Sequence, residues 1–525
     1  MASLSYYGAF IFFLASTVAS YSLALSGYKI NDPFCASAAE AFTNLTKLAI
    51  DQISNTSLDF APNGPLEKLI NNISPNDKQA LLALGSCREL FAMAIDDLNK
   101  TLSSSSNQLT PDDEETIEKD DFYLCFIETN LETCIAEFDS SASQIQDLVS
   151  SRLNSSINAI QEVSENFERC YSPSPSPNAS PDHHFVEEYY TTSSGRDPSW
   201  LSSEDKKLIE SNNIKPNIVV AKDGSGNYRT ISEAIKAVPS PNKYRIYIYV
   251  KKGVYFENVR IGRDQGYVYM FGDGMNKTIV SASRSVGGGG GYTILTSATF
   301  AVYGDKFIAR DMGFYNTAGP TKDQAVALMA ATYHSVFYKC RIDGYQDTLL
   351  VHVGLQFYRE CFIYGTIDFI FGWAAVVIQS STILAKKPLQ GQGNAIAAHS
   401  RTNPKCKTDI VIQSSKIAAA EDLRGVSTAL GRPWKPYSVV VYLENDMGGL
   451  ISPVGWVQMG GPPSSTIFLA EYGNKGPGSN VAGRVRWNGV RTNLSYNEAN
   501  QYTINSLIRG NKWLKGTDVP YNGGL

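Results

Sequence analysis

The chain has 525 residues, 43% of them hydrophobic and 18% charged, with a formal net charge of −5. That length exceeds the ~100–200 residues of one ordinary domain, so more than one domain is expected. An acidic balance gives no basis for a nucleic-acid partner, because phosphate binding needs a concentrated basic surface.

Residues 1–26 carry no charge and hold an apolar run around Ile11–Leu14 bounded by small residues, the pattern of a secretory signal. The first basic residue is Lys29, so a membrane anchor is the alternative reading. Export agrees with eight Asn-x-Ser/Thr sequons, at Asn44, Asn55, Asn72, Asn99, Asn154, Asn178, Asn276 and Asn493, six of which precede residue 180.

Residues 27–170 read as helices. Leu84, Cys87, Leu90, Phe91, Ala94 and Leu98 fall on one stripe, and Ile145, Val149, Leu153, Ile157 and Ile160 recur near every fourth position. Four such segments with short connections predict an antiparallel four-helix bundle. Its carboxylates are scattered and it lacks histidine, so a binding role suits it better than catalysis. Residues 171–210 form a linker that opens "YSPSPSPNASPDHH", alternating proline and serine as exposed extended chain does. Its His183–His184 pair reads as solvated, and no metal site is expected.

From residue 211 to 525 the chain reads as strands. "YRIYIYV", "GYVYMFG", "SVFYKCRI", "LQFYRECFI" and "DIVIQSSKI" are short, rich in Val, Ile, Tyr and Phe, and separated by turn residues. "FYKC" repeats as "FYREC" and "VVIQSSTI" as "IVIQSSKI", with no helix-length segment between them. Self-similarity near 20 residues predicts a parallel β-solenoid.

Within it, Cys340, Gly344 and Asp347 recur as Cys361, Gly365 and Asp368. Successive coils stack at ~4.8 Å, so the step sets Asp347 beside Asp368 and allows Cys340 to bridge Cys361. A ladder explains stacked glycines and cysteines, but two carboxylates at that distance repel. Such a pair separates into one ionised and one protonated group. Counting back 22 residues from Gln346 reaches Gln324, and neutral amides beside that pair suit a developing oxyanion. The cluster reads as acyl-transfer machinery without serine, histidine, metal or cofactor.

"GVYFENV", "FYNTAGP", "DQAVAL", "GYQDTL", "GTIDFIFG", "LGRPW", "AEYGNKGPG" and "VPYNGGL" follow in order from about Asn217, and this part of the chain resembles the plant pectinesterases (pectin methylesterases). "LGSCRELFAMAIDDL" and "ETNLETCIAEF" resemble the inhibitor domain that precedes many of them. The resemblance implies a right-handed parallel β-helix that hydrolyses the C6 methyl esters of pectin (homogalacturonan) and modifies the cell wall. It implies Asp368 as nucleophile, Asp347 as acid/base, Gln346 and Gln324 as oxyanion stabilisers, Arg432 as the cation holding Asp368 ionised, and Trp434 as a sugar-stacking residue. It also implies a Cys87–Cys134 bridge, leaving Cys35, Cys125, Cys170 and Cys406 without assigned partners.

Several positions depart from the family's pattern: Met329 for Arg, Tyr333 for Asp, Leu350 for Tyr, Leu355 for Arg, Trp373 for Asn, and Ser381 and Ser415 for Cys. The Thr-Thr-Phe before "SAT" reads Thr293, Ile294, Leu295, so Thr293 stands as a substrate-binding candidate while one substrate-contacting threonine is lost. Lys206-Lys207-Leu208-Ile209 stands where the family carries a basic processing motif, which implies a processing protease. A secreted, monomeric esterase is expected. A retaining glycosidase of the same solenoid class is a second reading, and an attenuated homologue that binds pectin or acts through its inhibitor-like part is a third.

Overall fold

The computed structural model describes residues 35–75, 77–105, 114–138, 143–171, 214–515 and 517–525. The expected signal over residues 1–26, the linker from Ser172 onward with His183, His184 and Asn178, and the Lys206–Ile209 motif lie outside the described residues.

Helices α1 (Cys35–Asp59), α2 (Pro65–Ile73), α3 (Lys78–Ser105), α4 (Glu114–Ala136) and α5 (Ser143–Tyr171) come first. The four long ones form the expected bundle, and the stripe of Leu84, Cys87, Leu90, Phe91, Ala94 and Leu98 is wholly buried in it. Phe42 on α1 meets Phe167 on α5, which fixes these two helices antiparallel. The Cys87–Cys134 disulfide ties α3 to α4. Short α2 starts on Pro65, whose missing N–H costs nothing at a first helical turn.

The rest is a right-handed parallel β-helix. Its strands form a 16-stranded and an 8-stranded sheet, and every pairing between named strands is parallel. The 21-residue step is a true coil, since Leu328 pairs with Leu349 and Leu349 with Ile370. Alternation then divides each strand. Leu328, Ala330, Leu349, Val351, Ile370 and Ala397 point into the solenoid core. Between them an outward ladder runs from Arg260 through Ala301, Met329, Leu350, Phe371 and Ala398 to Arg432. Its apolar members share one buried cluster with the helical bundle, so the helices lie on this face.

The stacked cysteines belong to a corner of the coil. Lys339, Glu360, Ser380, Ser414 and Glu444 each take a left-handed conformation, with φ between 49° and 55°. The residues after them stack as Cys340, Cys361, Ser381, Ser415 and Asn445. Each polar member caps the coil before it: Cys361 N donates to Ser381 Oγ, Ser381 N to Ser415 Oγ, and Ser415 N to Asn445 Oδ1. The expected Cys340–Cys361 bridge is not formed. Both are buried thiols, and each donates to main-chain carbonyls, Cys340 to Tyr338 and Cys361 to Phe337. Here the ladder alone accounts for the repeat.

A second disulfide, Cys125–Cys406, joins α4 to the β-helix across 281 residues of sequence. The sequence left both cysteines unpartnered because their pairing crosses between the two parts of the chain.

Candidate active site

Asp347 and Asp368 sit on consecutive coils, each at a left-handed corner with φ of 59° and 49°. Asp347 N donates to Ile367 O at 3.0 Å and Ala325 N to Gln346 O at 3.2 Å. In a parallel ladder these bonds set Asp347 beside Asp368, and Gln324 beside Gln346. Both carboxylates are buried, at 6% and 4% exposure, whereas the two glutamines remain part-exposed at the rim. The structure thus gathers Gln324, Gln346, Asp347 and Asp368, which 44 residues of sequence separate end to end.

Arg432 supplies the asymmetry. Its Nε donates to Asp368 Oδ1 at 2.8 Å and Oδ2 at 3.0 Å, and its Nη2 to Oδ2 at 2.5 Å. Burial holds the Asp368 carboxyl above its ordinary value, and the hydrogen bonds and charge of Arg432 oppose that rise. Asp347 has no such fork. Burial and then the negative charge of Asp368 hold it well above the carboxylate range, with Arg432 opposing. Of the two, Asp368 is the carboxyl that a cation favours in its charged form, and Asp347 is the one more strongly disposed to keep its proton.

Two residues beyond the outward ladder, His352, Trp373, Ser400 and Trp434 form a second outward row beside Leu350 and Phe371. These six line a cavity against Thr129, Thr133, Ala136 and Glu137 of the helical part. Trp434 is half-buried, its ring 6.2 Å from that of Phe371. His352, buried with Nε2 unpartnered, is held neutral by burial, its pKa lowered to about 4. The sequence reading missed Phe371, His352 and Ser400 as wall residues. The ladder that reaches them from Arg432 steps back to Ala398, Phe371 and Leu350 in turn, unequal intervals that the 21-residue repeat alone does not show.

Thr293 is covered. Its Oγ1 lies 2.9 Å from Ser86 Oγ on α3, and Leu295 N donates to Glu137 Oε1 at 3.4 Å. Asn403 donates to Glu128 of α4 at 2.7 Å. The helices thus occupy the rim of the cleft as well as its floor.

Residues 217–511 match the family model described as pectinesterase. Pectinesterase 2 of Citrus sinensis is 42% identical over 446 residues, 84% of this chain and 81% of its own. Probable pectinesterase/pectinesterase inhibitor 46 of Arabidopsis thaliana is 40% identical over 511 residues, 93% of this chain and 83% of its own. The structure of a pectin methylesterase from carrot superposes with a TM-score of 0.58 at 45% identity, covering 59% of this chain and 99% of that one.

Proposed function

The chain belongs to the pectinesterase family, and from that premise we propose how its residues carry out the hydrolysis of pectin methyl esters. It is a carboxylic ester hydrolase that acts on pectin and releases methanol. The Asp368 carboxylate attacks the C6 ester carbonyl of a galacturonate unit. The amides of Gln324 and Gln346 donate to the oxygen that becomes anionic. Asp347 gives its proton to the departing methoxide, leaving an acyl-enzyme on Asp368 and a carboxylate on Asp347. That carboxylate takes a proton from the attacking water, and collapse of the second intermediate returns Asp368 and the free acid. Trp434 stacks on a sugar ring of the bound chain.

The bidentate Arg432–Asp368 pair, one coil from an acid with no cation of its own, carries this reading. Methanol release from methylated pectin tests it. Asp368→Asn should abolish release, and Asp347→Asn should lower kcat by about 10²–10⁴-fold, the usual worth of a general acid–base group. New reducing ends without methanol would favour a glycosidase, and persistent methanol release by Asp368→Asn would refute the assignment.

The helical part acts as an intramolecular cover of the cleft, supported by the burial of Thr293 and by Glu128 and Glu137 at the rim. The protein is exported to the cell wall and works as a monomer, with a processing protease cutting at Lys206–Lys207. All seven sequons among the described residues carry exposed asparagines, which suits glycosylation of Asn44, Asn55, Asn72, Asn99, Asn154, Asn276 and Asn493.

A further inference from the structure

The outward ladder that forms the cleft floor begins and ends on arginine. Arg432 at one end is engaged with Asp368. Arg260 stands at the same register six strands away, on the order of 29 Å at ~4.8 Å per step. Everything between them in that register is apolar.

Arg260 is built to receive a carboxylate. Its guanidinium lies 4.0 Å over the Tyr303 ring, and Nη1 donates to Tyr303 Oη at 3.4 Å, which fixes the fork. Among the described residues, its carboxylate partner is Glu89 of α3. Arg263 follows on the same edge and pairs with Asp97 and, at 3.3 Å, with Asp96. Asp96 and Asp97 lie seven and eight residues beyond Glu89, so one face of one helix delivers all three acids. Asp305 of the β-helix also acts on Arg263, so the two arginines keep one net positive charge when α3 departs.

A pectin chain becomes an anion as its esters are removed, and the helical carboxylates occupy positions that galacturonate carboxylates can take in their place. We propose that Arg260 and Arg263 form a remote carboxylate-binding position of the cleft, which holds a de-esterified galacturonate while a methylated stretch of the same chain crosses the apolar floor to Asp368. This rests on the pectinesterase reading above. It makes a methylated run flanked by acid units the preferred substrate, and makes α3 an occupant that the acidic chain displaces.

The test uses the full chain carrying Cys406→Ser, Glu89→Gln, Asp96→Asn and Asp97→Asn, so that neither the disulfide nor the helical acids hold the site. Its binding to polygalacturonate and to fully methylated pectin is measured by affinity electrophoresis at low and high salt. Adding Arg260→Gln with Arg263→Gln should weaken polygalacturonate binding about tenfold, as loss of charged hydrogen bonds does. The same change should reduce the salt dependence and leave binding to methylated pectin unaltered. Arg260→Lys with Arg263→Lys should retain most of the affinity, which separates charge from folding. Equal polygalacturonate binding with and without the arginines, or none in the starting variant, overturns the proposal. Methanol release is read on the same preparations. Its absence throughout would count against the esterase chemistry and leave the binding comparison standing.

Discussion

Asp347 and Asp368 occupy equivalent corners of neighbouring coils, yet Arg432 touches only one of them. A cation that favours the charged form lowers a carboxylate's pKa, and a neighbouring anion raises it. Activity should follow a bell in pH, with an acid limb set by ionisation of the pair's first proton and a basic limb by loss of the second. Replacing Arg432 with Gln removes the downward pull on Asp368, so the acid limb should move to higher pH. kcat should also fall by about 10–10²-fold, the worth of a lost charged hydrogen bond or two. A pH–rate profile of methanol release by Arg432→Gln checks this, and an acid limb that stays put would remove Arg432 from the role of holding Asp368 ionised. The pairing of these aspartates was legible in the sequence because a solenoid converts a 21-residue repeat into adjacency. The thiols at Cys340 and Cys361 were misread for the same reason, since adjacency permits a bridge without requiring one.

At the scale of elements, α3 and α4 carry buried acids that α1 and α5 do not match in number. Asp120 on α4 is buried with one carboxylate oxygen unpartnered, and burial pushes its pKa up to about 7. Asp97 on α3 is pushed to about 6, burial outweighing the attraction of Arg263. A carboxyl raised in the folded state stabilises it fully below its unfolded pKa near 3.8, and that contribution is lost as pH rises through the folded value. Thermal unfolding of the helical part should therefore be most resistant near pH 4 and weaken through pH 6–7. Asp120→Asn should flatten that dependence and stabilise the fold at neutral pH and above by up to about 4 kcal/mol, at about 1.4 kcal/mol per unit. Melting temperatures of both chains from pH 4 to 8 decide the matter, and parallel curves would sink it. The helices themselves were evident from their apolar stripes, whereas their carboxylates read only as scattered, because spacing alone does not show which of them packing will bury, Asp97 against Arg263 of the β-helix and Asp120 within the helical part.

Over the whole molecule, Cys125–Cys406 fastens the covering helices to the enzyme that they cover. Cutting the linker would then leave both parts joined, since the disulfide survives the cut. A secreted preparation cut near Lys207 should run as one band without reductant and as two with it. Its methanol release should rise several-fold on reduction, and Cys406→Ser should be active without reductant. Separation of the fragments on a non-reducing gel would discount the fastening. The sequence by itself determined the two architectures, the β-helix coil and the gathering of Gln324, Gln346, Asp347 and Asp368, because periodicity within a segment is local information and stacking in a solenoid follows from it. Only the tertiary structure decided that Thr293 is covered, that Cys406 pairs with Cys125, and that Arg260 ends the ladder Arg432 begins. Those facts depend on how the bundle docks on the solenoid and on register counted across six strand pairings, and neither is encoded in the spacing of any single motif.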